Sequence, residues 1–193
     1  MAAYGNVATC FQRRVVINRK KLLIIGHARH GKDSVADYLH HCYGYMPTDS
    51  SVRAAEIFLF DVLAEKYGYK TFDECYQDRV HHRAEWYEAI KAYNTPEKTR
   101  LARAIMADSD VYVGMRDRDE INACREAGIF DLIIWVDASE RLPPEPSDSF
   151  NIDQSLAGVI IDNNGDIASL YKNIGEALGE TVLNREDAGT KTL

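Results

Sequence analysis

Cysteine is scarce in this chain of 193 residues: Cys10, Cys42, Cys75 and Cys124 are widely separated, with no C-x-x-C pair. That spacing excludes a zinc ribbon or a disulfide scaffold and fits reduced thiols. Long apolar runs are also missing, since nothing approaches the roughly 18 residues that a bilayer span requires. The opening "MAAYGNVATCFQRR" lacks the continuous apolar segment of a secretory signal. These absences lead us to expect a cytoplasmic location without membrane attachment. Positive charge is in deficit, with 23 Lys and Arg against 30 Asp and Glu and a formal net charge of −7. A surface built to grip nucleic acid by its phosphates normally carries the opposite balance, although a local basic patch remains compatible. The six histidines are scattered and show no metal-ligand spacing.

What is present is one core's worth of apolar residues, 46% of the chain, arranged as strands alternating with helices. Residues 1–20 read as a loosely ordered leader, 21–180 as a single domain and 181–193 as a flexible tail. Continuous apolar strands are expected at Lys21–Ile25, Asp110–Met115, Asp131–Ser139 and from Gly158, with a short one at Tyr45–Thr48. Helices are expected from Lys32, from Asp49 or Ser50 up to Gly68, and from Asp166 to Leu178. Residues 71–107 read as an all-helical insert, with Pro96 as the first residue of its last helix. Residues 139–154, rich in Pro, Ser and Asp, form a lid-like loop. Strands apolar on both faces and joined through helices predict a parallel sheet covered on both sides, a three-layer α/β/α domain. Its ligand crevice lies at the carboxyl ends of the strands.

On that edge stands "KLLIIGHARHGKDSVADYLHH", Lys21 to His41. Gly26, four residues, Gly31 and Lys32 satisfy most of the pattern G-x-x-x-x-G-K-[ST]. In that pattern backbone N–H groups wrap phosphates and the lysine neutralises their charge. A helix beginning at Lys32 aims its positive end at the same anion. The cradle is expected to run through Gly26, His27, Ala28, Arg29, His30, Gly31, Lys32, Asp33 and Ser34. Asp33 stands where Ser or Thr normally meets the metal, with the Ser34 hydroxyl one residue later. His27 and His30 carry no catalytic expectation, because the loop works through its backbone.

The stretch "GHARHGKDSVADYL" resembles the "GKD[ST]xAD" loop of phage-encoded P-loop kinases of the deoxynucleoside monophosphate kinase type. "VGMRDRDEINACREAGIFDLIIWVDAS" and "VIIDNNGDIASLYKNI" are similar to later strand and helix segments of the same kinases, so that the likeness covers roughly Leu22 to Leu178. Phage P-loop kinases that phosphorylate 5-hydroxymethyluracil within DNA are similar too, at "GHARHGKD", "VYVGMR" and "IWVDAS". The resemblance implies a P-loop NTPase fold of the nucleotide-kinase kind with the helical insert on its acceptor side. It also implies ATP and Mg²⁺ as cofactors and, for a phage protein, the host cytoplasm as location. Two departures stand out. Gly114 occupies the place of an acidic residue near the metal, leaving Asp33 as the expected metal contact, and the arginine-rich "RRxxQxxGT" acceptor segment is missing.

Asp49, after the second strand, is either the base for a hydroxyl acceptor or a helix cap. Arg53, Arg79 and Arg83 either contact substrate, beside Trp86, Tyr87 and Tyr93, or solvate the exposed faces of helices. Arg116 leaves a strand end towards the crevice and is expected to meet phosphate or transition-state charge. Arg141 enters the lid-like loop and is assigned to the nucleotide. Asn163 and Asn164 either seat the donor base or simply end a strand. The leading expectation is transfer of a phosphoryl group from ATP to the hydroxymethyl group of 5-hydroxymethyluracil in DNA, with Lys32, Asp49 and Arg116 as catalytic residues. A deoxynucleoside monophosphate kinase is the alternative, and a nucleotide-binding regulatory module is the reading from another class.

Overall fold

The computed structural model describes residues 19–145 and 150–183. Most of the expected leader, Cys10, residues 146–149 of the lid-like loop and residues 184–193 of the expected tail lie outside the described residues. Five strands, β1 (Leu22–Ile25), β2 (Pro47–Asp49), β3 (Val111–Val113), β4 (Leu132–Asp137) and β5 (Val159–Asp162), pair in parallel in the order β2-β3-β1-β4-β5. Around them lie α1 (Lys32–Tyr43), α2 (Ser50–Ala54), α3 (Phe60–Tyr67), α4 (Phe72–Asp78), α5 (Arg83–Tyr93), α6 (Arg100–Met106), α7 (Arg118–Glu126) and α8 (Ile167–Leu183). The backbone of α8 is broken at Gly179. This is a three-layer α/β/α sandwich with the parallel sheet in the middle.

The run LLII in β1 lacks alternation because both of its faces are covered. Leu22 and Ile24 pack with α1 and α8, through Val35, Leu39, Leu170 and Ile174, on one side. Leu23 and Ile25 pack with α6 and α7, through Leu101, Ile105 and Ile121, on the other. All four strand residues are 0% exposed, and each such side chain contributes roughly 1.5–3 kcal/mol by burial. A smaller core of Ala55, Leu59, Leu63, Cys75 and Trp86 sits among α3, α4 and α5.

Two helix expectations are corrected. The helix from Ser50 to Tyr67 is continuous in path but passes through a π-helical turn, Ala55–Leu59. Ala54 belongs to the main core and its neighbour Ala55 to the small one, so the wider turn lets consecutive residues serve two cores. The last helix of the insert starts at Arg100 and not at Pro96. Buried Asn94 reaches across the intervening bend, and its Oδ1 accepts from Leu101 N at 3.0 Å, supplying the acceptor that the helix start requires. That helix, α6, packs on the sheet, so the insert is only partly a separate unit. Cys75 and Cys124 are buried free thiols, while Cys42 is exposed.

From β1 the chain runs to β2 and β3 on one side, and from β3 it crosses to β4 on the other. The carboxyl edge of β1 and β3 is therefore open as a crevice. The chain enters it at Gly26, where φ is 142° and a Cβ would stand 2.6 Å from the Val136 carbonyl oxygen. Gly26→Ala combines an unfavourable dihedral with a backbone collision. We expect it to cost about 2 kcal/mol or more, lowering Tm by roughly 4–8 °C in calorimetry.

Candidate functional site

The loop from Gly26 to Gly31 is held from beneath. His30 is fully buried, and its Nδ1 accepts from Ala138 N at 3.0 Å, which assigns the proton to Nε2. Asn163 Nδ2 donates to the His30 carbonyl at 2.8 Å and occupies the space that a Cβ on Gly31 would take. His27 lies against Phe150, with ring centroids 4.4 Å apart, and its Nδ1 accepts from Glu145 N at 3.1 Å. Burial lowers the pKa of both histidines, assisted at His27 by His30. Both support the loop in neutral form. Asn163 thus anchors the cradle and does not face a donor base, while Asn164 Oδ1 accepts from Glu140 N at 3.0 Å.

A cavity of about 240 Å³ opens in front of the loop. Its wall carries the charged side chains of Lys32, Asp33, Asp49, Arg79, Arg83 and Arg116 together with Trp86, Tyr87, Ile90, Tyr112, Met115 and Glu120. Lys32 Nζ donates to the carbonyls of Gly26 and His27 at 3.0 and 2.8 Å. Burial and then the Arg116 charge push its ammonium down to about 8. A lysine so placed is short of negative charge, a deficit that an anion in the cradle would fill.

One carboxylate already reaches this place. Glu145, whose side chain is 7% exposed, accepts from Ala28 N at 2.6 Å through Oε2. Its Oε1 meets Arg116 Nη1 at 2.5 Å and Arg83 Nη1 at 3.2 Å. Burial alone would raise its pKa, yet the charge and hydrogen bond of Arg116, with the loop N–H, hold it below the ordinary value. A loop amide and two guanidinium groups converging on one anion are the donors that a phosphate oxygen requires. Glu145 was not among the residues singled out from the sequence. Its contact spans 117 positions and no local pattern announces it.

Asp49 fills the cap with one carboxylate oxygen and leaves the other towards the cleft. Oδ1 caps α2, accepting from Ser51 N at 2.7 Å and Val52 N at 3.2 Å. Oδ2 lies 3.6 Å from where a Cβ on Gly114 would stand, and Ser50 Oγ lies 3.2 Å from that point. Gly114 itself has φ 96°. A side chain at residue 114 would therefore meet a strained backbone and crowd the Ser50 hydroxyl, with the Asp49 carboxylate in van der Waals contact. Asp33 is held above its ordinary pKa by lost hydration in the cleft and then by the neighbouring Asp49. Two carboxylates that repel each other beside a phosphate cradle fit a hard divalent cation, which Mg²⁺ sites typically hold with one or two carboxylates plus phosphate. Among the described residues no group of three or more His, Cys, Asp or Glu forms a metal cluster.

Three of the expected residues stand off the cavity wall. Arg53 turns away from the cavity and pairs with Glu56 and Asp108, each at 3.1 Å, because it stands on the outer face of α2. Ser34 is not among the described residues that line the cavity; each helical step turns the side chain by about 100° from the last. Arg141 also lies outside the lining, with Nε donating to the Asn163 carbonyl at 2.7 Å, so it braces the strand end that anchors the loop. Arg79 does line the cavity, lying 4.0 Å over the Tyr76 ring.

Neither a protein-family model nor a curated protein matches the chain. Among solved structures, a sugar kinase from Janibacter sp. HTCC2649, unliganded, is similar at 13% identity and TM-score 0.45, covering 86% of this chain and 99% of that one. A gluconokinase from Sinorhizobium meliloti 1021 is similar at 14% identity and TM-score 0.46, covering 84% and 93%. Likenesses this distant do not bear on activity, so the reading below rests on the residues of the cleft.

Glu145→Ala frees Arg83, Arg116 and the Ala28 N–H. Titration calorimetry should then show inorganic triphosphate binding about tenfold more tightly than to the parent protein, a gain of ~1.4 kcal/mol. Unchanged affinity would mean that Glu145 does not compete for the cradle.

Proposed function

We propose that this chain is an ATP-dependent phosphotransferase whose acceptor is a hydroxyl group on a nucleotide-type molecule. The observation that carries the reading is the convergence of the Ala28 N–H, Arg83 and Arg116 on a single carboxylate, directly beside Lys32 at the start of α1. The helix N-terminus adds its partial positive charge. With the terminal phosphoryl of ATP in that place, Lys32 and Arg116 stabilise the charge shared among its oxygens during transfer. The acceptor oxygen forms the new bond to phosphorus as the bond to the departing ADP oxygen breaks. Asp49 Oδ2 takes the hydroxyl proton, its Oδ1 being engaged by the helix it caps. A magnesium ion held with Asp33 would supply neutralisation of the phosphate charges. Positioning and electrostatics account for catalysis in such a site.

The free oxygen of Asp49 favours a hydroxyl acceptor over a phosphate, which needs no base. Together with the sequence resemblance, this makes 5-hydroxymethyluracil in DNA our leading acceptor, with the base turned out of the stack into the cavity. Conversion of a deoxynucleoside monophosphate to its diphosphate is the alternative, favoured by the acidic charge of the chain and by the outward turn of Arg53. The reading as a regulatory module without transfer rested on Gly114 and weakens once its positive φ and the nearby Ser50 hydroxyl account for that glycine.

The test is transfer of label from ATP to a panel of deoxynucleoside monophosphates, plain DNA and DNA containing 5-hydroxymethyluracil. Label should enter the modified DNA, and single-stranded or mismatched substrate should react at least as well as matched duplex. Formation of diphosphates with no label in DNA would install the alternative. Transfer to none of them would leave the regulatory module.

In that assay Lys32→Ala should fold normally and lose about 10²-fold or more in turnover, the scale of a lost transition-state charge contact. Near-parental turnover by a folded variant would remove this loop from the chemistry. Asp49→Asn keeps an oxygen for the cap and removes the charge, so stability should change little. Turnover should fall about 10²-fold or more while ATP affinity holds. Equal turnover of parent and variant would leave Asp49 as a cap alone.

A further inference from the structure

Part of the cavity wall has a use that the phosphoryl chemistry does not absorb. Trp86, Tyr112, Met115, Asp117 and Glu120 line it and are each less than 5% exposed. Asp117 has no capacity to spare. Its Oδ1 accepts from Asp119 N and Glu120 N, and its Oδ2 from Tyr87 Oη and Asn151 Nδ2, all between 3.0 and 3.2 Å. Glu120 differs: the Asn94 side chain hydrogen-bonds its carboxyl group, and Oε1 is buried without a partner. An unpaired carboxyl oxygen at 3% exposure is costly. It shares the cavity wall with an indole, a tyrosine ring and a methionine, surfaces suited to the face of a flat ring.

We propose that this wall is a subsite for a planar heterocycle and that Glu120 Oε1 accepts a hydrogen bond from an N–H in the plane of that ring. The inference rests on the acceptor-side reading given above and adds the residue that distinguishes one ring edge from another. A ring presenting N–H satisfies the orphaned oxygen. A ring whose nitrogen is alkylated leaves that oxygen unpaired and adds a collision.

The carboxyl is also poised to titrate. Burial, followed in the same direction by the Asp117 charge, raises Glu120 to about 7, against the lowering effect of the Asn94 hydrogen bond. Three of its neighbours are shifted away from that range. Tyr112 on β3 and Cys124 on α7 are pushed up by burial. Asp117 at the start of α7 is held low by its hydrogen bonds, which outweigh its burial. Lys91 on α5 and Lys98 before α6 are half-buried and act on it through their positive charge. Accepting from N–H favours the ionised form, so ring binding should strengthen as pH rises towards 7.5. Stability moves the other way: the folded pKa lies above the unfolded value, so the folded chain binds the extra proton, and stability is lost as pH rises from about 4.5 to about 7.

The experiment measures binding of 2′-deoxyuridine and of N3-methyl-2′-deoxyuridine by calorimetry, without ATP, to the parent protein and to Glu120→Gln and Glu120→Leu. The parent should bind deoxyuridine at least tenfold more tightly than its N3-methyl analogue, and several-fold more tightly at pH 7.5 than at pH 6. Glu120→Gln should fold, gain thermal stability at pH 8 and lose the pH dependence. Glu120→Leu should lose the preference between the two nucleosides. A purely structural carboxyl would change stability in these variants and leave nucleoside discrimination alone. Equal affinity of the parent for both nucleosides, or binding of neither, overturns the subsite. Because no transfer is measured, failure here leaves the phosphotransferase reading standing, and absent transfer leaves the subsite testable.

Discussion

The carboxyl end of β4 stands so close to the end of β1 that the chain leaving β1 must turn without a side chain. The Val136 carbonyl oxygen occupies the place of a Cβ at Gly26. Everything in the cleft inherits its position from that crowding. The turn delivers the Ala28 N–H into the crevice, brings His30 down into the core and sets Lys32 at the first position of α1. Asn163 and Arg141 secure the same strand ends from the far side. The loop's shape is therefore fixed by parallel strand packing before any ligand is bound, and it does not have to be ordered at binding.

Charge in the cleft is arranged against the sign of the whole chain. The protein carries a net −7, yet Lys32, Arg79, Arg83 and Arg116 share one cavity. Like charges in a confined space repel, and the depressed pKa of Lys32 reflects that strain together with burial. Glu145 relieves it by bridging the two guanidinium groups that stand on different elements, α5 and the segment after β3. A carboxylate carries one unit of charge and two oxygens, whereas a terminal phosphoryl group carries more of both. The same donors can therefore hold Glu145 and still prefer a phosphate.

The sheet and the loop were legible because both are local. Four apolar residues in a row can only be a strand covered on both faces or part of a buried helix, and the glycines after Ile25 decide between them. Arg116 and Asp49 were legible for a related reason, since residues at strand ends in a parallel sheet share one edge. Arg53 misled because a helix that starts on the edge turns away from it within one turn. Ser34 did likewise, whereas Asp33 stayed at the cavity. Glu145, Glu120 and the true start of α6 left no local trace. The first depends on a loop reaching the cradle from the other end of the chain. The second depends on how α7 packs beside Asn94, and the third on Asn94 reaching the backbone at Leu101. Gly114 could be read only as a missing acid until its positive φ and the Ser50 hydroxyl beside it showed why a side chain fits poorly there.

The cavity draws on two cores. The phosphate loop, Asp49 and Arg116 grow from the sheet, whose residues are packed between helical layers on both faces. Trp86 grows from α5 and belongs to the small cluster with Leu59, Leu63 and Cys75. The π-helical turn at Ala55–Leu59 marks the point where the chain passes from one core to the other. α5 is tied to both, since Ile90 and Tyr93 pack against the core on the sheet while Trp86 packs in the small cluster. Arg83 stands on the same helix and reaches Glu145 in the cradle. Any molecule that fills the cavity against Trp86 therefore acts on the helix that carries Arg83. Through Arg83, filling of the cavity against Trp86 bears on anion binding at the place Glu145 now holds.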